Sequence, residues 1–463
     1  MKKNNHNISR RSFLKMMAAG AAATVAACAG KTSNEAAADE YKNQVEPPVG
    51  KMTYRTCTNS GDRVSLLGYG MMRLPKIEGT DDFDQEMINR QVDYAIEHGL
   101  NYFDTAPVYC QGLSERCTGI ALSRHKREEF FVATKMSNFD KSLWSLEASK
   151  KLYHDSMKEL QIDYIDYYLL HSVGGGGMEN LRSRFLDNGL LDYLIEERAA
   201  GRIRNLGFSY HGDIKVFDYL LSEHDKYKWD FVQIELNWLD WNYANEINDR
   251  NTDASYLYAE LKKRNIPAVI MEPLLGGRLA KLPNYVVTQL KQMDPQRSIA
   301  SWAFRYAGTP DGVLTVLSGM TYMEHLKDNL LSYCPLESLT EEEQRKLDNT
   351  IAHQMMEEDT IPCNACQYCM PCPYGIDIPT IFTHYNNVKI EGRLPLNSGS
   401  PQYRENRRRY LISLNRTIER ERQPDHCIKC SRCINEKHCP QNIRIPEEME
   451  RISRFIEGLK ADS

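Results

Sequence analysis

Short apolar runs alternate with helical patterns from about residue 52 to about residue 335, and this alternation constrains the fold more than any other feature of the sequence. Eight runs have the length of buried strands: Val64–Tyr69, Asn101–Thr105, Phe130–Lys135, Tyr164–His171, Ile203–Ser209, Phe231–Asn237, Ala268–Pro273 and Val313–Ser318. Helical patterns lie between them, at Met87–His98, Leu146–Leu160, Leu190–Ala200, Ala254–Arg264, Ser298–Tyr306 and Met323–Leu331. Strands separated by helices pair in parallel through crossover connections. The sequence therefore predicts an α/β fold, a (β/α)8 TIM barrel over residues 51–335.

Three of the predicted strands end at, or next to, a residue that can carry charge. Asp104, Lys135 and His171 take these places, and Tyr109 follows Asp104 by five residues. The carboxyl ends of barrel strands face one shared pocket, so these four side chains are expected to converge. Each residue alone is more often an ordinary polar residue at a strand end, whereas four in this order favour a catalytic site.

Together the four side chains predict a proton-delivery site. A tyrosine has an ordinary pKa of about 10, and a neighbouring ammonium group favours the tyrosinate. Lys135 is therefore expected to lower the pKa of Tyr109, while Asp104 holds Lys135 charged and in place. His171 would orient a substrate oxygen. The catalytic interpretation is that Tyr109 protonates a carbonyl as hydride arrives at its carbon.

This arrangement resembles the aldo/keto reductases, whose Asp–Tyr–Lys–His tetrad matches Asp104, Tyr109, Lys135 and His171. The resemblance also includes S-E at 114–115, G-F-S at 207–209, V-Q-I-E-L-N at 232–237 and L-S-G-M at 317–320. It covers the predicted barrel. It implies an oxidoreductase that uses NADPH or NADH and acts on a small carbonyl or alcohol substrate.

The same resemblance implies a nucleotide site, with departures from the usual pattern. Tyr210 stands where an Asn is usual, and Met271 replaces the aromatic residue that stacks on the nicotinamide. Gly319 and His325 replace basic residues that clamp a 2′-phosphate, so the choice between NADPH and NADH stays open. These substitutions either adapt the nucleotide site or weaken nucleotide binding. The implied cofactor-binding residues are Gly70, Met71, Asp104, Ser209, Gln233, Met271, Pro273, Leu274, Gly319, His325 and Asn329.

Eight of the 13 cysteines fall in two tight groups near the C-terminus, at 363, 366, 369 and 372 and at 427, 430, 433 and 439. Three cysteines spaced C-x2-C-x2-C wrap a cubane cluster, and a fourth before a proline usually serves the other cluster of a pair. The pattern predicts two 4Fe–4S clusters with crossed ligands. One set is Cys363, Cys366, Cys369 and Cys439, and the other is Cys427, Cys430, Cys433 and Cys372.

Two observations leave alternatives to this ligand assignment. The last gap is two residues in the first group and five in the second, where three is usual, so either could change which cysteine completes which cluster. Paired four-cysteine zinc sites are the competing metal interpretation.

An internal repeat supports two equivalent halves in this C-terminal region. C-P-Y-G-I-D-I-P at 372–379 answers C-P-Q-N-I-R-I-P at 439–446, and the spacer between them carries helical patterns. A helical connector, Thr340–Glu358, precedes the first group. Residues 336–463 resemble a mainly α-helical ferredoxin-like domain that binds two 4Fe–4S clusters.

The N-terminus carries an export pattern. S-R-R-S-F-L-K at 9–15 and the apolar run Met16–Ala27 match a twin-arginine signal, predicted to be residues 1–28. V-A-A-C ending at Cys28 resembles a lipobox, so a lipid on Cys28 would be the expected link to a membrane. Residues 29–50 are predicted to be a flexible tether. The protein is expected to be periplasmic or a membrane-anchored lipoprotein.

Net charge argues against nucleic acid as a partner. The chain carries −5, and its first 28 residues hold five Lys/Arg and no Asp/Glu, so the remainder carries about −10. The sequence as a whole predicts an exported oxidoreductase whose clusters serve electron transfer, with an external partner, or structure. The alternative is an electron-transfer or partner-binding iron–sulfur protein whose barrel no longer turns over.

Overall fold

Parallel strands close a barrel, as the alternation of strand and helix patterns predicts. The computed structural model describes residues 45–358, 360–435 and 439–462. Within these residues eight strands form the barrel in the order β10-β3-β4-β5-β6-β7-β8-β9, all neighbours parallel. The strands are β3 (Leu67–Gly70), β4 (Tyr102–Asp104), β5 (Phe131–Met136), β6 (Ile165–Val173), β7 (Ile203–Tyr210), β8 (Phe231–Glu235), β9 (Ala268–Met271) and β10 (Val313–Ser318).

The strand register brings polar side chains to one end of the barrel. Gly70 pairs with Asp104 across β3 and β4, and Ser209 pairs with Gln233 across β7 and β8. Most interior residues below this layer are apolar and fully buried, among them Tyr102, Tyr167, Phe231 and Val269. A filled interior leaves the carboxyl ends of the strands as the place for chemistry.

The first predicted strand is divided in two. Its beginning, β2 (Arg63–Ser65), pairs antiparallel with β1 (Tyr54–Thr56), and its end is the barrel strand β3. Cys57 and Val64 of this hairpin pack against the interior apolar residues of the barrel. The hairpin therefore covers apolar surface that a single long strand would leave exposed.

Helices alternate with the barrel strands and several begin at side-chain caps. Asp84 accepts a hydrogen bond from the Met87 backbone, and Ser145 and Ser298 do the same for their helices. Such caps satisfy backbone donors that have no partner inside the helix. The α-helices are Gln85–Glu97, Ser114–Leu122, Leu146–Leu160, Gly177–Leu181, Leu190–Ala199, Ile214–Ser222, His224–Tyr227, Asp240–Ile247, Ala254–Lys263, Asn284–Met293, Ile299–Gly308 and Met323–Tyr333.

The helical connector packs with the barrel. Glu341–Lys346, Leu347–Ile351 and Ala352–Met356 form one continuous helical stretch whose Leu347 and Ile351 are fully buried in the barrel's apolar core. The predicted domain boundary at 335 thus lies before this stretch, whereas the second apolar core begins at Ile361. Packing separates the two cores near residue 360.

A second core joins the helices of the cysteine-rich region. Ile381, Tyr410 and Met449, from three different helices, are buried in it. Both repeats end in a helix with proline in its first turn, where its missing N–H costs nothing. The α-helices here are Ile378–Ile390, Tyr403–Thr417, Arg432–Asn435 and Ile445–Ala461. The predicted mainly helical character is confirmed.

The predicted signal peptide, with Cys28, and nearly all of the tether lie outside the described residues. In the part of the chain that the structure describes, no helix has the length and apolar content needed to cross a membrane.

Candidate functional site

The four predicted catalytic side chains meet at the carboxyl end of the barrel. Lys135 is fully buried on β5, and its Nζ donates to Asp104 Oδ1 at 2.6 Å and to the Thr105 carbonyl at 2.8 Å. The same Nζ lies 4.8 Å from the centre of the Tyr109 ring. The Tyr109 ring meets His171 edge-on, with ring centres 5.8 Å apart. The strand ends therefore assemble the arrangement that the sequence suggested.

Ser137 and Phe139, which the sequence did not single out, hold His171. Ser137 Oγ lies 2.6 Å from His171 Nδ1, and the Phe139 ring packs 4.9 Å from the imidazole. Ser137 follows β5 directly, just after Lys135 and Met136. The imidazole is thus fixed from two sides.

The electrostatics of Tyr109 differ from the expectation. Burial raises the pKa of Tyr109 well above its ordinary value, and Tyr368, Asp104 and Glu272 raise it further. Burial also lowers the pKa of Lys135, against the opposing pull of the Asp104 carboxylate. The predicted lowering of the Tyr109 pKa by Lys135 is wrong, because burial dominates and Tyr368, Asp104 and Glu272 act in the same direction.

That second phenol comes from the cysteine-rich region. Tyr368 stands between Cys366 and Cys369, and its proximity and a hydrogen bond between the two side chains raise the pKa of Tyr109. Asp104 and Glu272 act on Tyr368 as well. The first cysteine motif therefore reaches into the pocket. An aromatic residue enclosed between two ligand-type cysteines was the signal that could have indicated this.

The backbone of the same motif is anchored on the barrel. Arg73 donates to the Asn364 carbonyl at 2.5 Å and to the Ala365 carbonyl at 3.3 Å. Gly276 lies so close that a Cβ built on it would be 2.2 Å from the Asn364 oxygen and 2.5 Å from its Cα. A side chain at 276 would displace this backbone. Glycine is thus required where the motif crosses the loop after β9.

The residues implied for nucleotide binding surround the same end of the barrel. Ser209 Oγ accepts from the Ser172 backbone at 2.8 Å, and Gln233 Nε2 lies 3.5 Å from Met271 Sδ. Gln233 Oε1 is buried without a hydrogen-bond partner. Asn329 donates to Ser318 Oγ at 3.0 Å.

The other implied nucleotide contacts lie at the same rim. Met71 is buried, and its N–H donates to the Asp104 carbonyl at 2.8 Å. Gly70 is close to the backbone of Ser318, and a Cβ on Gly319 would touch the Arg73 side chain at 3.0 Å. Pro273 and Leu274 follow β9, and His325 lies in the helix after β10.

The first cysteine set gathers against the barrel. Burial raises the pKa of Cys366, and the neighbouring thiols of Cys439 and Cys363 raise it further. Burial also raises the pKa of Cys369, and so do the thiols of Cys366, Cys363 and Cys439 and that of Cys433, which belongs to the second predicted set. Cys439 belongs to the second motif, so the structure groups these cysteines across the two motifs. The crossed ligand set of Cys363, Cys366, Cys369 and Cys439 stays a prediction, since Cys433 of the other set also lies near Cys369.

The second cysteine set surrounds a pocket of its own. The pocket encloses about 360 Å³ of empty space, including its opening to solvent. Cys372 from the first motif lines it together with Cys427, Cys430 and Cys433 from the second. Apolar side chains, Ile376, Ile378, Ile445 and Met449 among them, complete the wall.

Barrel arginines surround the first cysteine set. Arg278 and Arg73 act on the Cys363 thiol, and Arg250 acts on that of Cys439. Arg278 Nη2 donates to Thr360 Oγ1 at 3.0 Å, whereas its buried Nη1 has no partner. Within residues 45–358, 360–435 and 439–462, no group of three or more His, Cys, Asp or Glu side chains converges closely enough to hold a single metal ion.

Comparison with known proteins matches the barrel to one protein family and the N-terminus to an export signal. The profile of the aldo/keto reductase family matches residues 66–352, and the profile of the twin-arginine translocation signal sequence matches residues 7–27. L-galactose dehydrogenase of Arabidopsis thaliana is 26% identical over 305 residues, which are 62% of this chain and 90% of that protein. Protein tas of Escherichia coli is 31% identical over 204 residues, 38% of this chain and 57% of that protein.

Solved structures show the same barrel. The holo form of aldo-keto reductase AKR11C1 from Bacillus halodurans is 25% identical and superposes with a TM-score of 0.51, covering 66% of this chain and 96% of that one. An aldo-keto reductase from Klebsiella pneumoniae in complex with NADPH is 20% identical, with a TM-score of 0.51, over 64% of this chain and 95% of that one. This second likeness concerns the fold alone.

Proposed function

Because the chain belongs to the aldo/keto reductase family and carries a twin-arginine signal sequence, we propose that it is an exported oxidoreductase that interconverts a small carbonyl compound and its alcohol. The observation that carries this proposal is the buried 2.6 Å contact between Lys135 Nζ and Asp104 Oδ1 beside the Tyr109 ring. A buried ammonium–carboxylate pair adds little net stability, because desolvation of the two charges offsets their attraction, and such pairs cluster at functional sites. Here it fixes a cation next to the phenol.

Tyr109 is the proposed acid of this site. Its raised pKa keeps the phenol protonated at neutral pH, so it can donate its proton as negative charge develops on a carbonyl oxygen. Lys135, close to the ring, would stabilise the tyrosinate that is left. Ser137 at Nδ1 sets the orientation of His171, whose imidazole faces the phenol edge-on.

We further propose that the two cysteine sets bind two 4Fe–4S clusters with crossed ligands. The donor chemistry fits, because each set provides four thiols from both motifs and the second set lines an enclosed apolar pocket. Arg73, Arg278 and Arg250 would offset negative charge at the first set. When bound, each such cluster passes one electron, and a carbonyl needs two electrons and two protons to become an alcohol.

A nicotinamide cofactor is typical of the family, and one similar structure holds NADPH. The unpaired Gln233 Oε1 suits a carboxamide N–H. The mouth of the barrel does not suit the rest of a dinucleotide, because Asn364, Ala365 and Tyr368 cover it. We therefore propose a reaction that has no nicotinamide step.

The position of Tyr368 favours a second candidate function. A phenol set against Tyr109 fills space that a substrate would use, as in an iron–sulfur electron-transfer or partner-binding protein with an inactive barrel. Turnover separates the two candidates.

The test begins with anaerobic purification of the cluster-loaded chain. Iron and sulfide analysis and bleaching of the visible spectrum by dithionite report on the clusters. Reduced methyl viologen then serves as electron donor for a panel of small aldehydes and ketones. Iron-dependent turnover that is lost in Tyr109→Phe supports the oxidoreductase. Clusters that oxidise viologen without any carbonyl product would favour the electron-transfer protein.

A further inference from the structure

We propose that residues 363–369 occupy the place of a dinucleotide across the barrel mouth, and that Tyr368 takes the position beside Tyr109 from which a nicotinamide would act. The pocket is then closed to NADPH and NADH by the chain itself. The inference rests on the proposed function, since it names the source of reducing equivalents for the same pocket. Four observations carry it.

The first observation is the contact inside the pocket. The side chains of Tyr368 and Tyr109 are within hydrogen-bonding reach of each other, and the carboxyl groups of Asp104 and Glu272 raise the pKa of both phenols. Glu272 directly follows Met271, the residue at the implied nicotinamide position. Tyr368 therefore lies among the groups that a nicotinamide and its substrate would meet.

The second observation is the close fit of the backbone. Both Arg73 donors bind carbonyls of the segment, and Gly276 leaves no room for even a methyl group beneath Asn364. Gly276 belongs to the loop that also holds Leu274, an implied nucleotide contact. Gly319, another implied contact, lies against Arg73. Residues expected to hold a nucleotide thus border the segment.

The third observation is that the second motif is fastened to the barrel as well. Asn248 donates to the Pro440 carbonyl at 3.0 Å, and Asn442 donates to Asp249 at 2.8 Å. Gln441 lies 3.4 Å from Glu235 at the end of β8. Cys439 stands directly before these three residues. The first cysteine set is therefore held at the mouth from both motifs.

The fourth observation is charge. The barrel groups nearest the set are arginines at Cys363 and Cys439 and carboxylates at Glu235 and Glu272. Glu272 Oε2 is buried without a hydrogen-bond partner, so the arginines of this rim stand among acidic side chains and cysteine thiols and do not form a free cationic site for a pyrophosphate.

The reduction then balances without hydride. The carbonyl oxygen takes one proton from Tyr109, and the carbon takes a second proton that comes from solvent. The two electrons are supplied one at a time by a reduced one-electron donor protein, which docks on the cysteine-rich region. Tyr368 is a positioning residue in this scheme, since it fixes Tyr109 and closes the pocket.

The test measures nucleotide binding, independently of turnover. NADPH and NADH are titrated by calorimetry into the cluster-loaded full chain, and iron is determined on the same samples. We expect no saturable binding below about 1 mM, a weak affinity for any specific ligand. Gly276→Ala should push the segment from the mouth and allow binding at least about tenfold tighter.

A matched control separates displacement from backbone strain. Gly277 also has a positive φ, of 101°, but a Cβ there meets nothing within 4 Å, so Gly277→Ala should leave binding absent. Arg73→Met, which removes both anchors of the segment, serves if Gly276→Ala does not fold. It should admit the nucleotide as Gly276→Ala does.

Two results would overturn the inference. One is micromolar binding of NADPH or NADH by the unaltered, cluster-loaded chain. The other is a lack of binding in the unaltered chain and in both opened variants, because the loss would then come from the changed nucleotide contacts and not from the segment. Neither result touches the proposed clusters or carbonyl turnover, which iron analysis and the viologen assay report separately.

Discussion

The two cysteine sets occupy contrasting surroundings. The first set lies against the barrel, with Cys369 only 9% exposed and Tyr368 beside Tyr109. The second set is built within the cysteine-rich region, where Cys430 is exposed and the neighbouring Ile428 is 61% exposed. This difference suggests a direction for electron transfer. The second set faces outward, where a donor protein could approach, and the first set lies next to the proposed reaction site.

Charge divides the two sets in the same way. Buried Arg278 acts on Cys363, while Lys429 beside the second set is half-exposed and paired with Glu450 at 2.6 Å. A cation in a buried place acts more strongly than one in water. The two proposed clusters should therefore respond differently to changes in the barrel.

The largest loss of activity is expected when the pocket loses its proton donor while both cysteine sets stay unchanged. Tyr109→Phe keeps the ring but removes the proposed proton donor, so viologen-driven carbonyl reduction should fall by about 100-fold or more. Iron content and the visible spectrum should not change. Residual turnover close to that of the unaltered protein would show that another group delivers the proton.

Removing one cysteine from each set tests the contrast directly. Cys366→Ala and Cys430→Ala should each lose about four of about eight iron atoms. Cys366→Ala should also lower the melting temperature more, because its set holds the segment on the barrel, whereas Cys430 is exposed. Equal melting temperatures for the two variants would remove the proposed distinction.

Arg278→Gln should change the midpoint potential of only one of the two proposed clusters. Loss of a buried positive charge near Cys363 disfavours reduction, so the midpoint potential of one cluster should fall by roughly 50 mV. Redox titration followed by electron paramagnetic resonance measures this. The midpoint potential of the other cluster should not change within the error of the titration. The control is Arg408→Gln, which should leave both potentials unchanged, because Arg408 is an exposed residue of the helix Tyr403–Thr417. A shift of both clusters in Arg278→Gln would contradict the assignment.

The smallest effect is expected from Tyr368→Phe. Tyr368 raises the pKa of Tyr109, so its removal should lower that pKa. Tyr109 would then lose its proton at a lower pH, and the alkaline limb of the rate profile for carbonyl reduction should move to lower pH. The measurement is kcat/KM against pH for both proteins. An alkaline limb that moves up would mean that the phenols do not interact as described.

The barrel could be predicted from sequence because each strand and helix is encoded locally. All eight strand predictions and all six helix predictions correspond to observed elements, with shifts at their ends. The prediction of the first strand was only partly right, because its beginning, Arg63–Ser65, pairs with Tyr54–Thr56 and does not belong to the barrel. Antiparallel pairing between such short, half-exposed segments leaves almost no periodic signal.

The contacts between the two regions could not be predicted in this way. Tyr368 and Tyr109 are far apart in sequence, and neither apolar periodicity nor cysteine spacing specifies which surface the cysteine-rich region covers. The raised pKa of Tyr109 comes first from burial and next from Tyr368, and the part due to Tyr368 could not be predicted because it depends on how the cysteine-rich region packs on the barrel. The crossed ligand assignment stays a prediction that comes from the cysteine spacing and the internal repeat.

We propose that the first cysteine set and Tyr368 form part of the barrel pocket. The decisive measurement is anomalous diffraction at the iron edge from crystals grown anaerobically. We expect two separate four-iron sites, one bound by Cys363, Cys366, Cys369 and Cys439 at the barrel mouth, with the Tyr368 hydroxyl next to that of Tyr109. Single-metal sites, or a mouth left open with the first set turned away from Tyr109, would contradict it.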